Sequence, residues 1–384
     1  MATISPRVAS NIAAAAYDIK GPVPEGIALE LDPETEKHFK FNLSKHVYTG
    51  TSGGFFCRQA TGFVLIGQGH SVQHSNDHII AIRGTDSLAD TLTDITCHST
   101  NSDTGASVHT GFQSSFASFR ASLYTYFSQP GIINGNSIIH CVGHSLGGAL
   151  AALTADWLKA EFKNTIYLYT FGAPRVGKKN FAIHHSARID KMFRCVHGAD
   201  PVPKMPVWPF YHAPINGQEY ILSRAQGIDT SAHSMKKGPA YIKTANHSDW
   251  ESLHCQTASS VSQRVVLNYR NRTETTYSTF WADKIAAALM TLMIDGGAAT
   301  TIASLQVMGT SIGTVYDIMA KTLVNIGKIV GLEEQLKAVL GYMLVFAGKG
   351  AYVPIEFTYK FIRWVFDVTI GRLQKAAKQA LKQA

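Results

Sequence analysis

Apolar residues along the chain follow two rhythms. Short β-branched or aromatic runs, "TGFVLIGQG" (61–69), "HIIAIRG" (78–84), "NSIIHCVG" (136–143), "NTIYLYTFG" (164–172) and "KMFRCVHGAD" (191–200), each stop at Gly or Asp. Buried strands read this way. Between the runs, Phe112, Phe116, Phe119 and Leu123, then Leu146, Leu150, Leu153 and Leu158, recur at helical spacing. Strand alternating with helix predicts an α/β fold with a mostly parallel central sheet covered on both faces. From about Thr275 the spacing becomes helical, starting with "TFWADKIAAALMTLM". A boundary placed in "NYRNRTETTYS" divides a domain of residues 1–274 from a helical C-terminal domain of residues 275–384.

Two C-terminal stretches raise the question of membranes. Residues 296–316 carry no charge, and their length of about 21 residues is near that of a bilayer span. Their Gly, Thr and Ser content favours core or interface helices instead. In "FIRWVFDVTIGRLQKAAKQALKQA", Phe361, Trp364, Val365, Val368 and Leu373 gather at helical spacing, and Arg363, Arg372, Lys375, Lys378 and Lys382 add positive charge. An interfacial amphipathic helix and a packed helix with a solvated basic end fit this pattern equally.

Composition narrows the class. The 384 residues are 45% hydrophobic and 16% charged, which excludes disorder and allows a sizeable core. The net charge of +8 favours anionic partners such as a lipid surface. Without a dense Lys/Arg run or zinc-finger spacing, nucleic acid is not expected. Cys57, Cys97, Cys141, Cys195 and Cys255 are odd in number and scattered, which argues against a disulfide framework and against a metal site. "MATISPRVASNIAAAAYDIK" reads as an amphipathic first helix rather than a secretory signal, so synthesis in a cytoplasm without a cleaved signal is expected.

The sharpest chemical signal is "CVGHSLGGALAAL" (141–153). A strand precedes Ser145 and an alanine-rich helix follows it. A turn this tight needs small residues at Gly143 and Gly147, and it holds the serine in a strained, exposed pose over a helix N-terminus. The backbone N–H of Leu146 then points toward a developing oxyanion. A serine nucleophile needs a base, and the base an orienting acid. Asp200, just beyond a strand end and followed by Pro201 and Pro203, is the candidate acid.

Five segments in order, "HIIAIRGTDSLADTLTDI", "VHTGF", "CVGHSLGGALAAL", "LYTFGAPRVG" and "HGADPVPKMP", together resemble the class 3 lipases, the fungal-lipase-like branch of the α/β-hydrolases. The likeness covers roughly residues 45–250. It implies an α/β-hydrolase fold, a second oxyanion donor at Thr85, a lid around Leu88–Leu92, and no metal or organic cofactor. Arg83 and Arg175 have family counterparts for which a structural role is expected. For the base, His212, His233, His247 and His254 all follow Asp200. His233 resembles the family's His-Ser-Met motif, although Tyr241 arrives late behind "KKGP"; His247, in "NHSDW", resembles a His-x-x-aromatic variant. The assignment favours Ser145, Asp200 and His233.

The resulting expectation is a serine lipase or phospholipase, acting on lipid at a membrane surface through an acyl-enzyme. Basic charge, the missing signal and the helical extension resemble antibacterial effectors delivered into the periplasm of rival cells by type VI secretion, with a cognate immunity protein and the secretion machinery as partners. The alternatives are a housekeeping intracellular lipase and a membrane-binding or pore-forming toxin on a hydrolase scaffold.

Overall fold

The computed structural model describes residues 2–19, 29, 31–43, 47–52, 59–84, 92, 98–215, 217–257 and 263–383. Among them, nine strands form one sheet. Its centre runs β4 (His78–Ile82), β7 (Ile138–His144), β8 (Thr165–Phe171), β10 (Lys191–His197) and β12 (Gln218–Ser223), every neighbouring pair parallel. The flanks β1 (Phe39–Phe41), β2 (Val47–Ser52), β3 (Gln59–Gly69) and β13 (Cys255–Thr257) join antiparallel. All seven residues of β7 are buried, as a strand covered on both faces requires. The strands β5 (Ser99–Asn101), β6 (Ser107–His109), β9 (Gly177–Lys178) and β11 (Phe210–Tyr211) make a second, smaller antiparallel sheet.

Helices cover both faces. On one lie α3 (Thr110–Phe127) and α4 (Leu146–Phe162), whose Phe112, Phe116, Leu150 and Leu153 pack on Ile80, Ile139 and Leu168. On the other lies α1 (Pro6–Ala15), which starts at a Ser5 cap and buries Val8, Ile12 and Ala13 against Ile79, Val142 and Tyr169. A short α2 (Pro33–His38) leads into β1, and α5 (Lys179–Arg188) follows β9.

The C-terminal part is helical. It consists of α7 (Thr279–Asp295), α8 (Ala299–Val307), α9 (Ile312–Ile326), α10 (Glu333–Phe346) and α11 (Tyr359–Leu381), after a one-turn α6 (Tyr241–Thr244). The uncharged 296–316 stretch is broken at 308–311 into two helices. Among the described residues no helix is long and apolar enough to cross a membrane. The apolar face of α11 is not free for a lipid surface: Ile362, Val365 and Phe366 lie in the helical core, while Leu373, Ala377 and Leu381 join the core beneath α3 and α4. Arg363 is paired with Asp317 and Asp367, and the Arg372 guanidinium sits 3.9 Å from the centre of the Tyr277 ring. α11 also packs against the turns at 202–204 and 230–233.

Cys141 and Cys195 are buried free thiols and Cys255 is half-buried. Cys57 and Cys97 lie outside the described residues.

Candidate active site

Ser145 lies between the end of β7 and the start of α4, with φ 57° and ψ −132°. A non-glycine residue at positive φ costs of order 1–3 kcal/mol and persists only where its surroundings impose it. The glycines do the imposing. A Cβ on Gly143 would lie 2.3 Å from the Gly147 carbonyl oxygen, and one on Gly147 would lie 2.1 Å from the Ile82 oxygen. Only hydrogen fits at either place, so helix and strands close on the serine from below. Leu146 is the first residue of α4, and amides of a first helical turn have no acceptor within the helix. Thr85 and the lid residues 88–91 lie outside the described residues; Leu92 is buried in the core.

The structure brings Ser145, His233 and Asp200 together. His233 Nδ1–H donates to Asp200 Oδ2 at 2.8 Å, which leaves Nε2 to accept from the Ser145 hydroxyl at 2.7 Å. The three side chains come from three separate connections: the β7–α4 turn, the loop after β10, and a 3₁₀ turn at Thr230–His233 opened by an Asp229 cap. Both His233 and Asp200 are fully buried. Asp200 is nonetheless well solvated by protein, because Oδ1 accepts from Val202 N at 2.9 Å and Oδ2 from the Tyr241 hydroxyl at 2.7 Å.

The late position of Tyr241 follows from the geometry. "KKGP" forms the loop between His233 and α6, and α6 returns the tyrosine to the acid. The same oxygen accepts from His197 N at 2.9 Å, and the two rings stack 3.9 Å apart. Burial, followed by the charge of Asp200, holds the Tyr241 phenol well above its usual range, so it remains a donor.

Two further histidines grip the backbone on either side of the base. His197 Nδ1–H donates to Ala232 O at 2.6 Å, and His144 Nε2–H donates to His233 O at 2.8 Å. His144 in turn accepts from Tyr17 Oη at 2.7 Å, so the N-terminal segment reaches the site. Burial, and then the neighbouring His233, push His144 well below the ordinary imidazole value, which keeps it neutral. Lys236 and Asp18 pair at 2.5 Å and tie the same loop to the same segment. The motif likeness had singled out Tyr241 as the tyrosine that follows the base; the sequence pattern held no sign of the roles of Tyr17, His144 and His197, polar residues spaced far apart in the chain.

The other candidate bases lie elsewhere. His247 and His254 are exposed, and His247 faces Ser252 at 3.2 Å. His212 Nε2–H donates to Pro203 O at 2.6 Å, so it fastens the loop that follows Asp200. Arg83 donates to Ile19 O at 2.8 Å, and Arg175 donates to Lys204 O and Pro206 O at 2.8 and 3.0 Å. His74, Asp77 and His140 meet in a buried group whose ligand atoms lie within 4.8 Å of one another. Asp77 Oδ2 accepts from His74 Nδ1–H at 2.7 Å and Oδ1 accepts from Ile138 N at 3.2 Å. Burial opposes the charge on Asp77, but contacts with His140 and His74 outweigh it and hold the carboxyl well below its usual range.

The family description Lipase (class 3) matches residues 79–210. The secreted mono- and diacylglycerol lipase 1 of Fusarium solani is 32% identical over 173 residues, 42% of this chain and 51% of that protein. The secreted mono- and diacylglycerol lipase A of Penicillium cyclopium is 31% identical over 156 residues, 40% and 51%. The chain thus spans about half the length of the curated relatives it matches. A solved structure from a family of fungal lipases with an unusual buried polar cluster is similar at 26% identity and a TM-score of 0.45, covering 56% of this chain and 78% of that one. Over residues 79–210, within a mixed, largely parallel sheet, this chain is thus similar to the class 3 lipases.

Proposed function

We propose that the protein hydrolyses carboxylic ester bonds of lipids, with Ser145 as nucleophile, His233 as general base and Asp200 as its orienting acid. The observation that carries this reading is the unbroken relay Ser145 Oγ, His233 Nε2, His233 Nδ1, Asp200 Oδ2, with links of 2.7 and 2.8 Å. Ser145 Oγ attacks the ester carbonyl as its proton passes to His233 Nε2. The buried carboxylate of Asp200 stabilises the imidazolium that forms. The N–H of Leu146 at the α4 N-terminus, with Thr85, receives the oxyanion. His233 then protonates the leaving alcohol and activates the water that releases the acyl group.

The mono- and diacylglycerol substrates named for the fungal relatives make acylglycerols the first class to try. The +8 charge favours approach to anionic lipid and so adds phospholipids. An antibacterial effector is the finer reading: expressed in a bacterial periplasm, the wild type would halt growth and Ser145→Ala would not. The direct test is a panel of acylglycerols and phospholipids with products followed by mass. Ser145→Ala should lower kcat by roughly 10⁴ to 10⁶ with an unchanged circular dichroism spectrum. A folded, fully active Ser145→Ala variant would remove the proposal.

A further inference from the structure

Between the loop that follows Asp200 and the C-terminal helices lies a cavity of about 110 Å³. Such a space has room for several water-sized spheres. Its walls are mainly apolar. Val207, Trp208 and Phe210 come from the loop, Ile285 and Leu289 from α7, and Phe346 from α10. Mostly apolar pockets with a few convergent polar groups at an interface between structural units are the usual small-molecule sites.

One corner of this cavity is charged. Arg175 and Lys204 both converge on Asp283, at 3.6 and 2.6 Å. These side chains retain only 13%, 19% and 18% of their exposure, for Arg175, Lys204 and Asp283. Nearby Arg194 is already paired with Glu219. Among the described residues, two cations therefore share one carboxylate, which leaves a net positive charge at the rim of an apolar space. His212 lines the same cavity. Burial, and then Arg194, Arg175 and Lys204, push its imidazole well below the ordinary value, as a positive local field requires.

We propose that this cavity is a second lipid site, which binds an alkyl chain through its apolar walls and an anionic head group, carboxylate or phosphate, through Arg175 and Lys204. Half of its walls belong to α7, α9, α10 and α11, so these helices complete a ligand site rather than only a scaffold. Lys204 is four residues beyond Asp200, and α11 packs on the turns at 202–204 and 230–233. Occupancy would therefore brace the segments that carry the acid and the base. A fatty acid released by the proposed hydrolysis is one source of such a ligand; only that identification rests on the proposed function.

The test uses the full-length chain as Ser145→Ala, so binding is read without turnover and independently of whether the protein is a hydrolase. Dodecanoate, dodecyl phosphate and neutral dodecanol are titrated below their micellar concentrations by calorimetry. At least one anion should bind tenfold or more tighter than dodecanol, with the preference lost in Lys204→Met. A tighter carboxylate points to fatty acid as the source, a tighter phosphate to phospholipid. Ala286→Phe, which fills the cavity from α7, should weaken binding at least tenfold. A dodecanoate carrying a photoreactive diazirine at its tail needs no cavity variant. It should label peptides spanning 282–290 or 343–346. Equal binding of dodecanol and both anions, or labelling confined to other peptides, would overturn the proposal.

Discussion

The hydroxyl of Tyr241 is the most exacting test of how the acid is held. It donates to Asp200 Oδ2 at 2.7 Å and accepts from His197 N at 2.9 Å, in a fully buried position. Tyr241→Phe removes one hydrogen bond to a charged group, worth about 1.5–3 kcal/mol, and strands a buried amide, at about 1–3 kcal/mol. Partial relaxation brings the expected loss to about 3 kcal/mol. An unfolding entropy of about 2.1 cal/mol/K per residue over a chain of this size converts each kcal/mol into about 1.2 °C, so Tm should fall by about 4 °C. The ring still fills its place against His197, and Asp200 keeps His233 Nδ1 and Val202 N. Hydrolysis of a short soluble ester should therefore fall only about tenfold in kcat, with KM unchanged, against roughly 10⁴ for loss of a triad member. Scanning calorimetry and initial rates on the purified variant supply both numbers. A Tm within 1 °C of wild type would show that the hydroxyl does not bridge acid and backbone in solution. A rate loss as large as that of His233→Ala would refute its role as a positioning residue.

His233→Ala should be as damaging to ester hydrolysis as Ser145→Ala, while His247→Ala, altering an exposed residue, should keep most activity; the reverse order would reassign the base. Deletion of 359–384 removes Ile362, Val365, Phe366, Ile370 and Leu373 from two cores. At about 1.5–3 kcal/mol per side chain this approaches the whole stability of a typical domain, so the truncated chain should be insoluble or molten by near-UV dichroism, and a native spectrum would show that α11 is dispensable. His144, His140 and His212 are all held below the ordinary value of 6.5 by burial. The unfolded chain therefore binds more protons once pH drops below about 6.5, and stability falls as pH falls. Thermal melts between pH 8 and 5 should show a declining Tm on the acid side, and a level or rising one would contradict neutral buried imidazoles.

The unit around residues 78–200 was readable from the chain because its signals are local. Five apolar runs ending in Gly or Asp became β3, β4, β7, β8 and β10, and "GHSLGG" became the strand–turn–helix that its glycines require. A tight turn is decided within half a dozen residues, where Gly143 and Gly147 leave no room for a side chain. Asp200 and His233 could be named from the order of segments and the His-Ser-Met likeness, but that His233 reaches Ser145 and Asp200 was visible only in the fold, since hydrogen-bond reach is a property of space and not of spacing. The same holds for Tyr17, His144, His197 and Tyr241, which meet around the base from four separate elements. The terminal helix shows the limit most clearly. An amphipathic pattern states that one face seeks an apolar surface and leaves open whether that surface is lipid or protein. Burial of Leu373, Ala377 and Leu381 against the core of α3 and α4 decided it, because the hydrophobic effect rewards removal from water without specifying the partner, and only the packed tertiary structure supplies one.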